Sequence, residues 1–143
     1  MQPLISELTQ DSPRVILDDK QQIFLIQGES CPEYTSKFYL PIIKWFEEYC
    51  LALHRQKQNF GYHPRMTLHF KLNYFNSTSA KFIGDILSLL DSFSRKGCEL
   101  RVKWFYADID MKESAEEYMQ LYTHLPFKLV LLDAVGNNMI HRE

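Results

Sequence analysis

The chain has 143 residues, of which 45% are hydrophobic and 24% charged, and these are the proportions of one ordinary globular domain. They exclude a disordered or fibrous chain. The formal net charge of -2 at pH 7 gives no basic field to attract phosphate backbones, so the composition predicts protein partners and no nucleic-acid partner.

Targeting and cysteine signals indicate a soluble protein of a reducing compartment. Residues 1–13 lack a basic segment followed by a long apolar run, which predicts no ordinary secretion signal, and no apolar stretch approaches the roughly 20 residues that cross a bilayer. The three cysteines, Cys31, Cys50 and Cys98, lie far apart and form no Cys-x-x-Cys pair. The five histidines have no metal-binding spacing. We therefore expect a cytoplasmic protein without membrane association, metal or other cofactor.

The first half of the chain predicts a hairpin followed by a helix. Two short runs rich in Val, Ile and Phe, 14–17 and 23–27, are separated by a polar loop and are typical of paired strands. Ser30 followed three residues later by Glu33 has the pattern of a capping box, so we expect a helix to begin there, with Glu33 as a structural residue. Apolar residues then recur every three or four positions up to Leu53, and the polar stretch 54–64 predicts a loop.

The second half alternates strands with helices. Positions 66, 68, 70 and 72 are apolar and their neighbours polar, which predicts a strand over 66–74 with one buried face. Helices are predicted over about 78–94 and 112–122, with strands over 98–106 and 127–132. The order β-β-α-β-α-β-α-β indicates one α/β domain, residues 1–143, with a mixed, mostly parallel sheet. Its core is expected over about 11–133, and 137–143 is expected to be a frayed tail.

The most informative segment is the junction between the strand at 66–74 and the following helix, where the chain reads Asn76, Ser77, Thr78, Ser79. Asn76, Ser77 or Thr78 can each cap the helix by accepting a hydrogen bond from a free N–H group. One cap needs only one side chain, so the other hydroxyls lie where free amides and the helix dipole favour an anion. A phosphate attached there would add about -1.5 to -2 charges.

Four runs in order resemble the SiaC family of bacterial regulatory phosphoproteins. They are 28–33 (GESCPE), 38–45 (FYLPIIKW), 72–81 (LNYFNSTSAK) and 102–106 (VKWFY). The similarity extends from about Asp11 to Asp133. It implies a STAS-like fold, similar to that of anti-sigma-factor antagonists, and a non-enzymatic role in a partner-switching circuit.

In such a circuit, the resemblance implies that a Ser/Thr protein kinase adds a phosphate and a PP2C-type phosphatase removes it. The unphosphorylated protein would bind and activate a diguanylate cyclase, which makes cyclic di-GMP. The family motif usually reads Asn-Thr-Ser-Ser with the Thr as acceptor, and this Thr aligns with Ser77. Since the present chain reads Asn-Ser-Thr-Ser, the acceptor is Ser77 by alignment or Thr78 if the kinase requires threonine.

Residues around the acceptor are expected to contact the partner. These candidates are Tyr74, Asn76, Ser79 and Lys81, although a lysine at the position of Lys81 is more often simply solvated. Two other functions stay open. One is an antagonist whose target is a sigma-regulator kinase, and the other is a small enzyme with a pocket at the strand ends.

Overall fold

The computed structural model describes residues 1–132, which form one sheet of six strands and three helices. In chain order the elements are β1 (Leu4–Ser6), β2 (Arg14–Asp18), β3 (Ile23–Ser30), α1 (Thr35–Phe60), β4 (Met66–Phe75), α2 (Ser77–Arg95), β5 (Leu100–Tyr106), α3 (Ile109–Leu121) and β6 (Phe127–Leu131). The strands lie side by side in this same order. The expected tail at 137–143 lies outside the described residues.

The sheet is mixed, as the order of elements predicted. β1, β2 and β3 pair antiparallel, whereas β3, β4, β5 and β6 pair parallel and are connected by the three helices. Because right-handed crossovers that all advance in one direction lie on one side of a sheet, the helices are expected to share a face. Ring contacts agree with this: Trp45 of α1 packs on Phe24, and Tyr118 of α3 packs on Trp104 of the same sheet face. The expected mixed α/β fold is confirmed.

The core lies between the three helices and this face of the sheet. Alternation along β4 buries Met66, Leu68, Phe70 and Leu72, and the apolar stripe of α2 packs against them. Burial of this stripe and strand face stabilises the fold by about 25 cal/mol for each Å² of apolar surface removed from water. The alternation over 66–74 and the apolar spacing over 78–94 therefore predicted the buried faces of β4 and α2 correctly.

One expectation about the extent of the elements was wrong, and one strand was missed. The stretch 54–64 is not a loop over most of its length, because α1 continues to Phe60 and ends at Gly61, whose N–H donates to Lys57 O in a left-handed cap. Residues 55–58 (Arg, Gln, Lys, Gln) are polar but good helix formers, so loss of the apolar stripe does not end the helix. The three-residue strand β1 was not predicted, since its pairing with β2 is a contact between distant segments.

The prediction of a capping box at Ser30 was also wrong. β3 runs on through Ser30, which is fully buried and pairs with Phe75, and α1 begins only at Thr35 after Tyr34, which makes no side-chain cap. A register shift between Gly28 and Glu29 allows this continuation. Gly28 has φ +119°, a backbone conformation that side chains with a Cβ rarely adopt.

None of the helices described, all of them within residues 35–121, has the length and apolar character needed to cross a bilayer.

We expect Gly28→Ala to lower the free energy of unfolding by about 1–3 kcal/mol, because it imposes a strained φ. The new Cβ would also lie 2.5 Å from Leu8 Cδ1, but this exposed side chain can move away at little cost. Gly84→Ala is the matched control. A Cβ at helical Gly84 makes only 3.5 Å contacts with Tyr118 and Tyr122, so this change should raise stability by about 0.5–1 kcal/mol. Urea denaturation measures both, and a Gly28→Ala chain as stable as the unmodified one would contradict the expected strain.

Candidate functional site at the start of helix α2

The junction between β4 and α2 is organised by Asn76. Its side-chain Oδ1 accepts a hydrogen bond from Ser79 N at 2.8 Å, and its carbonyl accepts the helical bond from Ala80 N at 2.9 Å. Of the three caps that the sequence left open, the structure therefore selects Asn76. Helix geometry then leaves the N–H groups of Ser77 and Thr78 without intrahelical acceptors.

The three hydroxyls after the cap have different surroundings. Ser77 and Thr78, the first two helical residues, are exposed, whereas Ser79 is fully buried. The helix dipole and the two free amides favour a negative group beside Ser77 and Thr78. The hydroxyls of Ser77 and Thr78 are therefore accessible to a modifying enzyme, and that of Ser79 is not.

Ser79 belongs to an internal hydrogen-bond network with β3 and α1. Its hydroxyl donates to the Ser30 carbonyl at 2.9 Å and accepts from Ser30 Oγ at 2.9 Å, while the Tyr39 hydroxyl lies 2.5 Å from Ser30 Oγ and supplies its proton. Burial raises the pKa of the Tyr39 phenol, which keeps it protonated as a donor. Ser79 was expected to contact a partner, but its buried position makes it an anchor of the helix and not part of the surface.

Two further bonds fix the first turn of α2. Asn76 N donates to the same Ser30 carbonyl at 3.0 Å, and Tyr118 of α3 donates its hydroxyl proton to Ala80 O at 2.7 Å. The start of α2 is therefore held by β3, α1 and α3 together. A modification at its surface would therefore act on a helix start that three elements hold in place.

The family model described as "SiaC family regulatory phosphoprotein" matches residues 6–132. The chain belongs to the SiaC family. As a member of this family, it is a regulatory protein and not an enzyme.

Proteins of Pseudomonas aeruginosa are similar to the chain in sequence and structure. Protein PA14_02130 of strain UCBPP-PA14 is 28% identical over 114 residues, which are 78% of this chain and 83% of that protein. The crystal structure of apo-SiaC is 26% identical with a TM-score of 0.78, over 90% of this chain and 98% of that chain. The crystal structure of the diguanylate cyclase SiaD in complex with its activator SiaC matches at 25% identity with a TM-score of 0.79, again over 90% and 98% of the two chains.

The other expected contact residues lie at the surface around the site. Lys81 is exposed one turn into α2, with its Nζ 5.6 Å from the ring centroid of Phe82. Tyr74 is 52% exposed at the end of β4 and lines a shallow cavity of about 240 Å³ together with Asp108 and Met111. Both side chains are accessible to another protein. Residues 1–132 contain no cluster of three or more His, Cys, Asp or Glu side chains placed to hold an ion.

The sequence did not predict the buried side chains that anchor the start of α2 by hydrogen bonds. Ser30 was interpreted as a helix cap, and the aromatic residues Tyr39 and Tyr118 were not connected with the junction. A signal was present, because a tyrosine on the buried stripe of a helix needs a hydrogen-bond partner for its hydroxyl. The identity of that partner depends on the tertiary fold.

We expect Ser79→Ala to lower the free energy of unfolding by about 1–3 kcal/mol, because it leaves the buried Ser30 hydroxyl without its acceptor. Ser77→Ala changes an exposed hydroxyl two residues away and should stay within about 0.5 kcal/mol of the unmodified chain. Urea denaturation of both variants tests the assignment. Equal destabilisation by the two changes would show that the network does not anchor the helix.

Proposed function

We propose that the protein is a phosphorylation-gated switch of a cytoplasmic partner-switching system. In its unphosphorylated form it binds and activates a diguanylate cyclase, and phosphorylation at the start of α2 prevents this. The observation that carries the proposal is the pair of exposed hydroxyls, Ser77 and Thr78, on a helix start anchored by buried groups.

A solved relative supports the choice of partner. The SiaC protein of P. aeruginosa is described as the activator of the diguanylate cyclase SiaD, with which it was crystallised. The present chain has the same fold over nine-tenths of its length. We therefore assign to it a diguanylate cyclase as output partner.

The gating is electrostatic and steric. A phosphate on Ser77 or Thr78 brings about -1.5 to -2 charges and three acceptor oxygens to an uncharged first turn. The free amides stabilise it there, so the modified state is favourable for the protein itself. A partner that packs its surface on Asn76, Lys81 and Tyr74 would meet this charge and lose the contact.

A Ser/Thr kinase and a PP2C-type phosphatase complete the proposed cycle. Both enzymes need an accessible side chain, and the exposure of Ser77 and Thr78 provides it. Ser77 is the proposed acceptor because it occupies the position of the family threonine, and Thr78 takes this role if the kinase requires threonine. Intact mass after incubation with the cognate kinase, followed by fragmentation, locates the added phosphate.

We expect Ser77→Ala to bind the cognate cyclase as the unmodified chain does, and to resist inactivation by the kinase. Ser77→Asp should weaken binding by about tenfold or more, equivalent to at least 1.4 kcal/mol, because it places a carboxylate at the docking surface. Calorimetry of cyclase binding and the rate of cyclic di-GMP synthesis measure both effects. The same pair of changes at Thr78 tests the alternative acceptor.

Ser88→Asp is the matched control, since Ser88 is also exposed on α2 but lies about 16 Å along the helix from Ser77. It should leave cyclase binding unchanged. Equal affinity of the Ala and Asp variants at both Ser77 and Thr78 would contradict the gating mechanism. Binding to a sigma-regulator kinase in place of any cyclase would contradict the assigned partner while leaving the switch intact.

A further inference from the structure

The sheet has a second face, on which a group of basic side chains is gathered. Strand alternation turns Thr67, His69 and Lys71 of β4 away from the core. In the parallel register, Arg101 of β5 lies beside Thr67, and Lys103 lies beside His69. Lys128 of β6 lies beside Lys103. Among the described residues no helix lies over this face, because all three pack on the other one. We call Lys71, Arg101, Lys103 and Lys128 the basic face.

Contacts of Arg101 and Lys71 with neighbouring side chains agree with this placement on one surface. Arg101 Nε donates to Thr67 Oγ1 at 3.2 Å across the two strands. Lys71 Nζ lies 4.5 Å from the ring centroid of Phe105, on which the His69 ring also stacks at 5.8 Å. The cations therefore lie on strands of one sheet face and are not scattered on loops.

Fold stability does not explain why two lysines of the basic face are neighbours. Lys103 and Lys128 lie directly opposite each other on neighbouring strands, and like charges in this position destabilise a sheet. The open-face positions of β4, β5 and β6, as far as these strands are described, hold no carboxylate. Asp108, which follows β5, lines a cavity together with Lys71 but not with Lys103 or Lys128. These cations also act on His69. Its pKa is lowered mainly by burial, and further by the charges of Lys103, Lys71 and Arg101. An external anionic partner would remove this repulsion.

Charge balance favours a protein segment as that partner. The whole chain carries -2 and the basic face +4, so the remainder carries -6. Part of this charge is exposed on α3, at Asp110, Glu113, Glu116 and Glu117. A long polyanion such as duplex DNA, or an anionic membrane, would meet the acidic remainder, whereas a short acidic segment needs only the basic face.

We propose that the basic face is a second docking surface, which binds an acidic segment of another protein. It lies on the opposite side of the sheet from the helices, so its occupancy is independent of the phosphorylation state at Ser77 or Thr78. The protein then holds one partner constitutively while the start of α2 engages another conditionally.

Fluorescence anisotropy with a short labelled peptide of alternating Glu and Gly tests this on the full chain at about 0.15 M salt, where the Debye length is about 8 Å. We expect binding to the unmodified chain, and a loss of about tenfold or more in affinity for Lys103→Glu/Lys128→Glu. Lys103→Gln/Lys128→Gln should also weaken binding, and circular dichroism verifies that both variants are folded. Ser77→Asp should bind the peptide as the unmodified chain does, which separates this proposal from the switch.

Lys44→Glu/Arg55→Glu is the matched control, because it changes the net charge equally at two exposed positions of α1 on the other side of the sheet. It should retain peptide binding. Absence of binding to the unmodified chain would overturn the proposal, as would an equal loss in this control. Tighter binding of a short DNA duplex, or of phosphatidylglycerol vesicles, than of the peptide would overturn the assignment to a protein segment.

Discussion

The carbonyl oxygen of Ser30 is the point on which the arrangement of the site depends. It accepts the backbone N–H of Asn76 and the hydroxyl of Ser79, so one atom at the end of β3 holds both the cap and the third residue of α2. Ser30 reaches this position because β3 continues past the irregularity at Gly28. Unpaired buried polar groups are costly, which makes this network a strong constraint on where α2 begins.

A helix start fixed in this way determines what a phosphate can do. The exposed hydroxyls lie on the outer side of the first turn, and the buried one lies behind it, so added charge changes the surface without entering the core. The bond from Tyr118 to Ala80 ties the same turn to α3. The proposed switch would work by altering complementarity to a partner, and would need no change of fold.

The sheet topology separates two kinds of surface. Parallel connections that advance in one direction place the helices, their N-termini and the hydroxyls together on one side. The opposite side keeps the alternate residues of the strands, and in β4 to β6 these include the basic face. A partner at the start of α2 and a partner on the basic face would therefore not compete for the same atoms.

The sequence by itself determined the features that depend on local chemistry. Alternation marked β4, apolar spacing marked α2, and a cluster of capping side chains marked the junction at Asn76, because each of these signals lies within a few neighbouring residues. Tertiary structure decided which hydroxyl is buried, where β3 ends and how far α1 extends. Ser30 and Ser79 are separated by 49 positions in the chain, and no local pattern records that their oxygens meet. Burial is a property of such long-range contacts, so only the fold distinguished the anchoring Ser79 from the accessible Ser77 and Thr78.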